Sequence, residues 1–153
     1  MNTSSVEITL ASIREAFGFD LVALTDIRIR QTNYMIKWKY SIGSSGDQWK
    51  KIALPRGKGV PGIVMKTGKS MVIHDIAETD IERDLFRYPI LKIERLKSFI
   101  AMPLWNDDEE VMGILLMGNR SVRTFQDAEY ATIRQAAEDT LRQQILKELM
   151  VNE

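Results

Sequence analysis

Three glycines and a proline lie within the seven residues RGKGVPG, residues 56–62, which lead directly into IVMKTGK. Glycine permits a turn or a close approach of the backbone to another group. Proline is tolerated at the first position of a helix because the N–H that it lacks would be unpaired there. The segment is therefore typical of a loop that directs the N-terminus of a helix at a ligand.

Unpaired N–H groups at a helix start can bind an anion, because they point outward at the positive end of the helix dipole. The sequence predicts two such helix starts. One offers the N–H groups of Gly62 and Ile63, and the other, just after Pro89, offers those of Ile90 and Leu91. A flat, singly charged, weakly basic anion would need only several such donors and an aromatic wall.

Purely structural roles can also explain the same residues. Trp38 and Tyr88 can be core aromatics, and the three glycines can simply make the turn. The cations of the loop, Arg56 and Lys58, can steer anions toward it or can be ordinary exposed side chains.

Enzymatic and metal chemistry have little support. The chain has no cysteine, which excludes disulfides, thiolate zinc sites, iron–sulfur clusters and thiol nucleophiles. Its single histidine, His74, has no partner residues that would complete a metal site or a nucleophilic motif. The acidic run at residues 107–110 lacks the alternating ligands and the glycine of a calcium loop. We expect no catalytic residue, no metal and no cofactor.

Length and charge narrow the class of protein. The 153 residues fit one domain, residues 1–153, and the 21 basic residues balance the 21 acidic ones. A nucleic-acid binder or a polybasic membrane clamp needs a surface of one sign, so neither is expected. No secretory leader and no bilayer-spanning apolar run of about 20 residues is present. We therefore expect a cytoplasmic protein.

The remaining patterns predict mixed helices and strands. Ser4 and Glu7 have capping-box spacing, and a helix should end near Phe17. DLVALTDIRIR and YMIKWKYSI are predicted strands joined by RQTN, and WKKIAL and MVIH are further strands. The alternation in YMIKWKYSI predicts one largely aromatic face, formed by Tyr34, Ile36, Trp38 and Tyr40.

A short helix is predicted from about Pro61 to Thr67, closed by Gly68. Residues 75–88 should form short helices and loop, followed by a helix that begins at Pro89. SFIAMPLW and VMGILLMGN flank NDDEE as a hairpin that is apolar on both faces, so both faces of the sheet should be covered. The last helix, FQDAEYATIRQAAEDTLRQQILKELM, carries an apolar stripe. This order describes an antiparallel α+β domain with its first and last helices on one face.

These residues resemble a GAF domain over almost the whole chain. The resemblance rests on GKGVPGIVMKTGKSMVIHD, on the hairpin SFIAMPLWNDDEEVMGILLMGN and on the final helix. It implies a small-molecule sensor whose ligand pocket lies under crossing helices and loops, with terminal helices that often form a homodimer. Some GAF proteins reduce free methionine sulfoxide with cysteines, which this chain lacks. The cyclic-nucleotide signature of other members is not apparent.

Within that family, the chain is similar to the free-standing nitrate-receptor GAF proteins of nitrate-respiration two-component systems. Three short elements carry this likeness: Trp38, the pair Val60-Pro61 and the step Tyr88-Pro89-Ile90. The resemblance implies that nitrate is the ligand and that a sensor histidine kinase is the partner, restrained by the ligand-free form.

The ligand-binding residues predicted in this way are Trp38, Val60, Pro61, Gly62, Ile63, Tyr88, Pro89 and Ile90. Pro61 departs from the family pattern, because a small residue with its own N–H is expected there and proline has none. The sequence leaves open which small anion is preferred. It also leaves open a sensor of another metabolite, or a ligand-free dimerisation or scaffold module.

Overall fold

A computed structural model of the protein describes residues 4–26 and 35–151, with side chains through residue 147. Its helices are α1 (Ser5–Phe17), α2 (Gly59–Thr67), α3 (Pro89–Ile93) and α4 (Asp127–Val151). Its strands are β1 (Leu21–Thr25), β2 (Ile36–Ile42), β3 (Ala53–Leu54), β4 (Met71–Ile73), β5 (Ser98–Trp105) and β6 (Val111–Asn119). Short 3₁₀ helices span Gln48–Lys51, Ile76–Glu78 and Asp80–Arg87.

The strands form a six-stranded antiparallel sheet in the order β3-β2-β1-β6-β5-β4. The long β5–β6 hairpin lies inside the sheet, and the tight turn between its strands is closed by the Asn106 side chain, which accepts from the N–H groups of Asp108 and Glu110. The predicted hairpin and the α+β antiparallel fold are both confirmed.

Each face of the sheet is covered, because each bears its own apolar cluster. The cluster that we call the α1–α4 cluster joins the sheet to the two terminal helices and includes Val6, Leu10, Ile13, Leu24, Met102, Leu115, Ile133, Ala137, Leu141 and Ile145. The cluster that we call the α2–α3 cluster lies on the opposite face and includes Trp38, Val60, Val64, Ile90, Leu91, Phe99, Ala101 and Leu116. Alternate residues of β5 therefore serve different clusters.

The first helix has the predicted ends. The N–H of Glu7 donates to Ser4 Oγ at 3.1 Å, and Gly18 closes the helix in the left-handed conformation with φ of 70°. In the last helix, the predicted stripe faces the sheet as far as Ile145. The side chain of Leu149, its final member, lies outside the described residues.

The prediction of one aromatic face on β2 is wrong. Trp38 belongs to the α2–α3 cluster, whereas Tyr40 packs against the α1–α4 cluster. The cause is a register shift: Leu24 pairs with Tyr40 but Thr25 pairs with Trp38, so Lys39 is an extra residue in β2. Such a bulge exchanges the faces of the residues on its two sides. Tyr34 and the RQTN turn lie outside the described residues.

Two predicted element boundaries move. WKKIAL is not one strand, because Gln48–Lys51 form a 3₁₀ helix and only Ala53–Leu54 pair with β2. Helix α2 begins at Gly59 rather than near Pro61, and ends before Gly68 as predicted. Pro61 therefore occupies the third helical position, where its missing N–H is still harmless because the first turn has no intrahelical acceptors.

Within the described ranges 4–26 and 35–151, no helix is both long enough and apolar enough to cross a bilayer. That residues 1–153 make up one domain remains a prediction.

A buried threonine completes the bulged region. Thr25 is fully buried, and its Oγ1 accepts a hydrogen bond from the N–H of Ile114 at 2.9 Å, where a strand carbonyl would otherwise serve. Thr25→Val keeps the shape of the side chain but leaves that N–H unpaired. We expect the free energy of unfolding to fall by about 1–3 kcal/mol, measured by urea denaturation.

Thr132→Val is the control, because Thr132 is exposed on α4 and its hydroxyl donates a hydrogen bond only to the carbonyl of Ala128 in the preceding turn. Its effect should stay within about 0.5 kcal/mol. Equal effects of the two substitutions would contradict the role given to Thr25.

Candidate functional site

The glycine-rich segment forms a tight turn that is bonded to the helix it precedes. The N–H of Lys58 donates to the carbonyl of Pro55 at 3.1 Å, and Gly57 has φ of 89°, the positive value that a type II turn requires at its third residue. The N–H of Gly57 then donates to the carbonyl of Gly62 at 2.8 Å. The start of α2 is thus held by its own loop.

Two further glycines are required by close approach. A Cβ on Gly62 would lie 2.6 Å from the carbonyl oxygen of Pro55, and one on Gly59 would lie 2.5 Å from Leu54 Cδ1. Gly59 also has φ of 67°, which disfavours any other residue. The interpretation of these glycines as turn formers is therefore correct, and the turn they make fixes where α2 begins.

The turn also brings the start of α2 against the chain that leads into α3. The same Cβ position on Gly59 is 3.7 Å from the carbonyl oxygen of Arg87, two residues before Pro89. On the other side, Leu54 pairs with Ile36, two residues before Trp38. The structure therefore brings together the three predicted elements of the site, which are far apart in sequence.

The N–H groups at the start of α2 differ from the prediction. Gly62 was expected to have a free N–H, which is wrong because that group donates to the carbonyl of Lys58 at 3.1 Å. Helix geometry likewise directs the N–H of Ile63 to the carbonyl of Gly59. That Gly62 and Ile63 belong to a binding site stays a prediction, but their N–H groups are not available to a ligand.

The donors that remain are Gly59 and Val60. Among the described residues, neither N–H group has an acceptor, and Lys58, the N-cap, makes no side-chain hydrogen bond to them. Both residues are buried, Val60 completely. Sequence reasoning missed Gly59 because it placed the helix start too late. The sequence did contain a signal for the earlier helix start, namely the glycines at positions 57 and 59. Glycines so placed must precede the first helical turn or open it.

The start of α3 offers one donor. Leu91 was expected to be free as well, which is wrong because its N–H donates to the carbonyl of Tyr88 at 3.0 Å. Pro89 has no N–H, so Ile90 alone has an N–H without an acceptor in the described part of the chain. Ile90 is 1% exposed and packs in the α2–α3 cluster, as do Val60 and Trp38.

Trp38 carries the least expected feature of this cluster. The residue is 4% exposed, and its buried indole Nε1 has no hydrogen-bond partner among residues 4–26 and 35–151. A buried N–H that stays unpaired costs about 1–3 kcal/mol, so such groups normally have a partner. Trp38 was predicted to bind the ligand, and within the described part of the chain its indole N–H is an unused donor.

The other predicted residues have supporting positions. Pro61 is buried beside Val60. Tyr88 is half-buried, packs against the α2–α3 cluster and is the N-cap of α3, while Pro89 lies half-buried at the first helical position.

The electrostatics of the cluster are those of a neutral site. Of the described residues, Thr25, Glu94, Ser98 and Asn119 are the buried polar or charged ones, so no lysine or arginine is buried there. Arg56 and Lys58 are exposed. Neutral N–H donors and an apolar wall suit a singly charged, weakly hydrated anion. A more highly charged anion would lose more hydration free energy on burial than these donors could return.

His74 has a structural position. Its Nδ1 accepts from the N–H of Phe125 at 2.9 Å, and the two rings lie 5.9 Å apart. Across the residues that the structure describes, no group of three or more histidine, aspartate or glutamate side chains is arranged to hold a metal ion.

Comparisons with known proteins place this geometry in a family. The family model described as "GAF domain" matches residues 3–140. A hypothetical protein from S. aureus is 38% identical with a TM-score of 0.71, over 76% of this chain and 94% of that one. The NreA protein from Staphylococcus aureus, mutated in its nitrate binding site, is 33% identical with a TM-score of 0.73, over 84% of this chain and 93% of that one.

A more distant structure shows the fold alone. The free methionine-R-sulfoxide reductase from Neisseria meningitidis, solved with its substrate, is 20% identical with a TM-score of 0.62, over 92% of this chain and 78% of that one. No curated protein sequence matches the chain.

The contact between Gly62 and Pro55 can be tested directly. Alanine normally stabilises a helix relative to glycine by up to about 1 kcal/mol, but a Cβ here would force the helix start away from the turn. We expect Gly62→Ala to lower the free energy of unfolding by roughly 1–3 kcal/mol, measured by urea denaturation.

Gly46→Ala is the matched control, since a Cβ on Gly46 meets nothing within 4 Å. It should be neutral or slightly stabilising. A Gly62→Ala variant as stable as the control would show that the turn does not depend on this contact.

Proposed function

The chain belongs to the GAF domain family, and from this premise we propose that it is a receptor for nitrate that regulates a sensor histidine kinase. GAF domains are generally regulatory ligand-binding domains. The proposed ligand comes from the likeness to NreA, whose solved variants are described as mutated in a nitrate binding site. The proposed regulation follows the resemblance to nitrate-respiration two-component systems.

One observation supports the proposed site above the others. The indole N–H of Trp38 is buried and unpaired in the same apolar cluster as Val60 and Ile90, whose backbone N–H groups have no acceptor among the described residues. Three elements thus each contribute a donor with no use in the fold itself. An anion between them would accept all three, and each charge-assisted hydrogen bond is worth about 1.5–3 kcal/mol.

Pro61 is compatible with this site. The helix starts at Gly59, so Pro61 removes only the third of the first-turn donors and leaves those of Gly59 and Val60. These two lie at the positive end of a nine-residue helix. We propose that they replace the donor that the family pattern has at position 61, and that Tyr88, Pro89, Gly62 and Ile63 shape the walls of the site.

The size of nitrate limits its affinity. A ligand of four non-hydrogen atoms can gain at most roughly 1.5 kcal/mol per atom, or about 6 kcal/mol in total. This corresponds to a dissociation constant no tighter than tens of micromolar. Such an affinity suits a sensor that follows the concentration of a metabolite rather than one that retains its ligand.

Regulation requires that nitrate bind two conformations unequally. We propose that residues 75–97 move, since this segment contains two short 3₁₀ helices and α3 and supplies the donor of Ile90. In the proposed mechanism the ligand-free form restrains kinase autophosphorylation and nitrate relieves the restraint. A cytoplasmic location, a homodimer through terminal helices and the absence of catalysis belong to the same proposal.

The test removes one donor and keeps an aromatic ring, although a smaller one. Trp38→Phe deletes the indole N–H, and we expect it to weaken nitrate binding by about 10- to 100-fold in calorimetric titration, with chloride at equal ionic strength as the reference. Phenylalanine is smaller than tryptophan, so the cavity that it leaves should lower the free energy of unfolding by about 1–3 kcal/mol. Loss of the N–H itself should cost no stability in the ligand-free protein, because the group has no partner among the described residues.

Trp49→Phe is the matched control. Trp49 is buried in the same cluster, but its indole nitrogen is not a buried group without a partner. This variant should bind nitrate as the parent does. Nitrate binding that survives Trp38→Phe unchanged would reject the site, and a parent protein that shows no more heat with nitrate than with chloride would reject the ligand.

The neutral character of the site makes a second prediction. With no buried cation among the described residues, a dianion would lose far more hydration than the donors could return. At equal ionic strength and low salt concentration, where the general stabilising effect of sulfate is small, we expect nitrate to raise the melting temperature and sulfate to raise it no more than chloride does. Stronger stabilisation by sulfate at low concentration would indicate a cationic site instead.

A further inference from the structure

Helix α3 separates two different environments. Its inner residues Ile90 and Leu91 are 1% and 0% exposed and pack in the α2–α3 cluster. Pro89, Lys92 and Ile93 line a groove on the outer surface. The helix is only five residues long, so a change in packing on its inner side must also shift its outer side.

The groove is continuous and large. One part, of about 710 Å³, lies between α3 and the loop of Ser45 and Gly46, and a second part, of about 480 Å³, extends along Gln48–Lys51 toward β3. Gln48, Pro89 and Ile93 border both parts. Its extent suits several side chains of a polypeptide rather than a small ion.

The groove has a surplus of positive charge. Lys51, Lys92, Arg95 and Arg120 line it, and its one lining carboxylate, Glu94, is paired with Arg120 at 2.7 Å. Lys92 and Arg95 are exposed and form no ion pair with any described carboxylate. Because the whole chain has no net charge, this surplus is a local feature of the surface.

The backbone conformation at position 95 does not favour an arginine. It follows α3 with φ of 57°, a left-handed conformation at a helix end where glycine or asparagine is usual. An arginine in this conformation is less favourable than glycine, because its Cβ crowds the backbone. Its exposed side chain therefore adds a cation to the groove at the expense of local stability.

An exposed aromatic residue borders the same groove. Phe86 is 64% exposed and lies on the wall with Pro89 and Ile93. Aromatic residues next to arginines are enriched where proteins bind one another. The groove therefore offers both an apolar contact and uncompensated cations.

The floor of the groove is rigid. Arg120 donates to the backbone carbonyl of Glu94 at 2.9 Å, to its side chain at 2.7 Å and to the carbonyl of Gly43 at 3.1 Å. The N–H of Ser45 donates to the same carboxylate at 2.9 Å. The end of α3 is thus fixed to the residue that follows β6 and to the loop after β2, while Ile90 at its start packs in the α2–α3 cluster.

We propose that this groove docks an acidic segment of a partner protein that carries a large apolar side chain, and that α3 transmits the state of the anion site to it. Carboxylates of the segment pair with Lys92 and Arg95, and its apolar side chain packs on Phe86 and Pro89. The coupling, but not the docking itself, rests on the proposed function.

The experiment titrates the ¹⁵N-labelled protein at low ionic strength with the acetylated, amidated peptide DEFEDL, and with KRFRKL as the reversed-charge control. We expect the largest amide shift changes, from DEFEDL only, at residues that line the groove, within 45–54 and 86–95 and at Arg120. The variant Lys92→Glu/Arg95→Gly should lose at least roughly tenfold in affinity. Glycine suits the left-handed backbone at position 95, so this variant should fold.

Lys69→Glu/Arg134→Gln is the matched control, because it removes the same net charge from another groove, which Lys69, Arg134 and Glu138 line. It should bind DEFEDL as the parent does. Equal loss in both variants, or shifts spread over the whole surface, would overturn the docking site. Dissociation of a peptide-free dimer by the groove variant, seen in sedimentation, would assign the groove to a second copy of the chain and overturn it as well.

Nitrate titration of the same samples separates the two proposals. The groove variant should bind nitrate as the parent does, and nitrate should change the affinity for DEFEDL by the same factor by which DEFEDL changes that for nitrate. Peptide binding without nitrate binding would overturn the proposed ligand and the coupling but support the docking site. Nitrate binding without peptide binding would overturn the docking site alone.

Discussion

The register between β1 and β2 is the constraint on which the candidate site depends. An extra residue at Lys39 places Trp38 on the face of α2 and α3 while Tyr40 stays with the terminal helices. Without that shift the two aromatic side chains would share a face, since side chains alternate along a strand. The side-chain hydroxyl of Thr25, bonded to the N–H of Ile114, satisfies the ladder where the pairing changes.

Because the sheet is covered on both faces, a change of face moves a side chain from one buried cluster to the other. Neighbouring apolar residues of the central strands, such as Leu115 and Leu116, belong to two separate apolar clusters. One cluster holds the terminal helices, and the other holds the helix starts whose N–H groups have no acceptor among the described residues. Burial in the first stabilises the fold. The second combines burial with donors at Trp38, Val60 and Ile90 that have no acceptor among the described residues, which costs stability unless a ligand accepts from them.

The backbone that positions the donors also connects the candidate site with the groove on the protein surface. The turn that fixes the start of α2 lies against the carbonyl of Arg87, and α3 follows immediately. At its far end α3 is fixed by the pair of Glu94 and Arg120. A short helix with one fixed end and one end at a ligand site is suited to convert a small change in packing into a change of the adjoining groove.

The sequence by itself determined the elements and the family: the cap at Ser4, the turn and C-cap glycines, the apolar hairpin and the terminal helices are local patterns, read from neighbouring residues. It also pointed to Trp38 and Ile90. Only the tertiary structure decided that the N–H of Gly59, unlike those of Gly62 and Leu91, has no acceptor among the described residues. It also decided that Trp38 and Tyr40 face opposite ways. These outcomes depend on where a helix begins and how two strands pair, and both are fixed by contacts between residues distant in the chain.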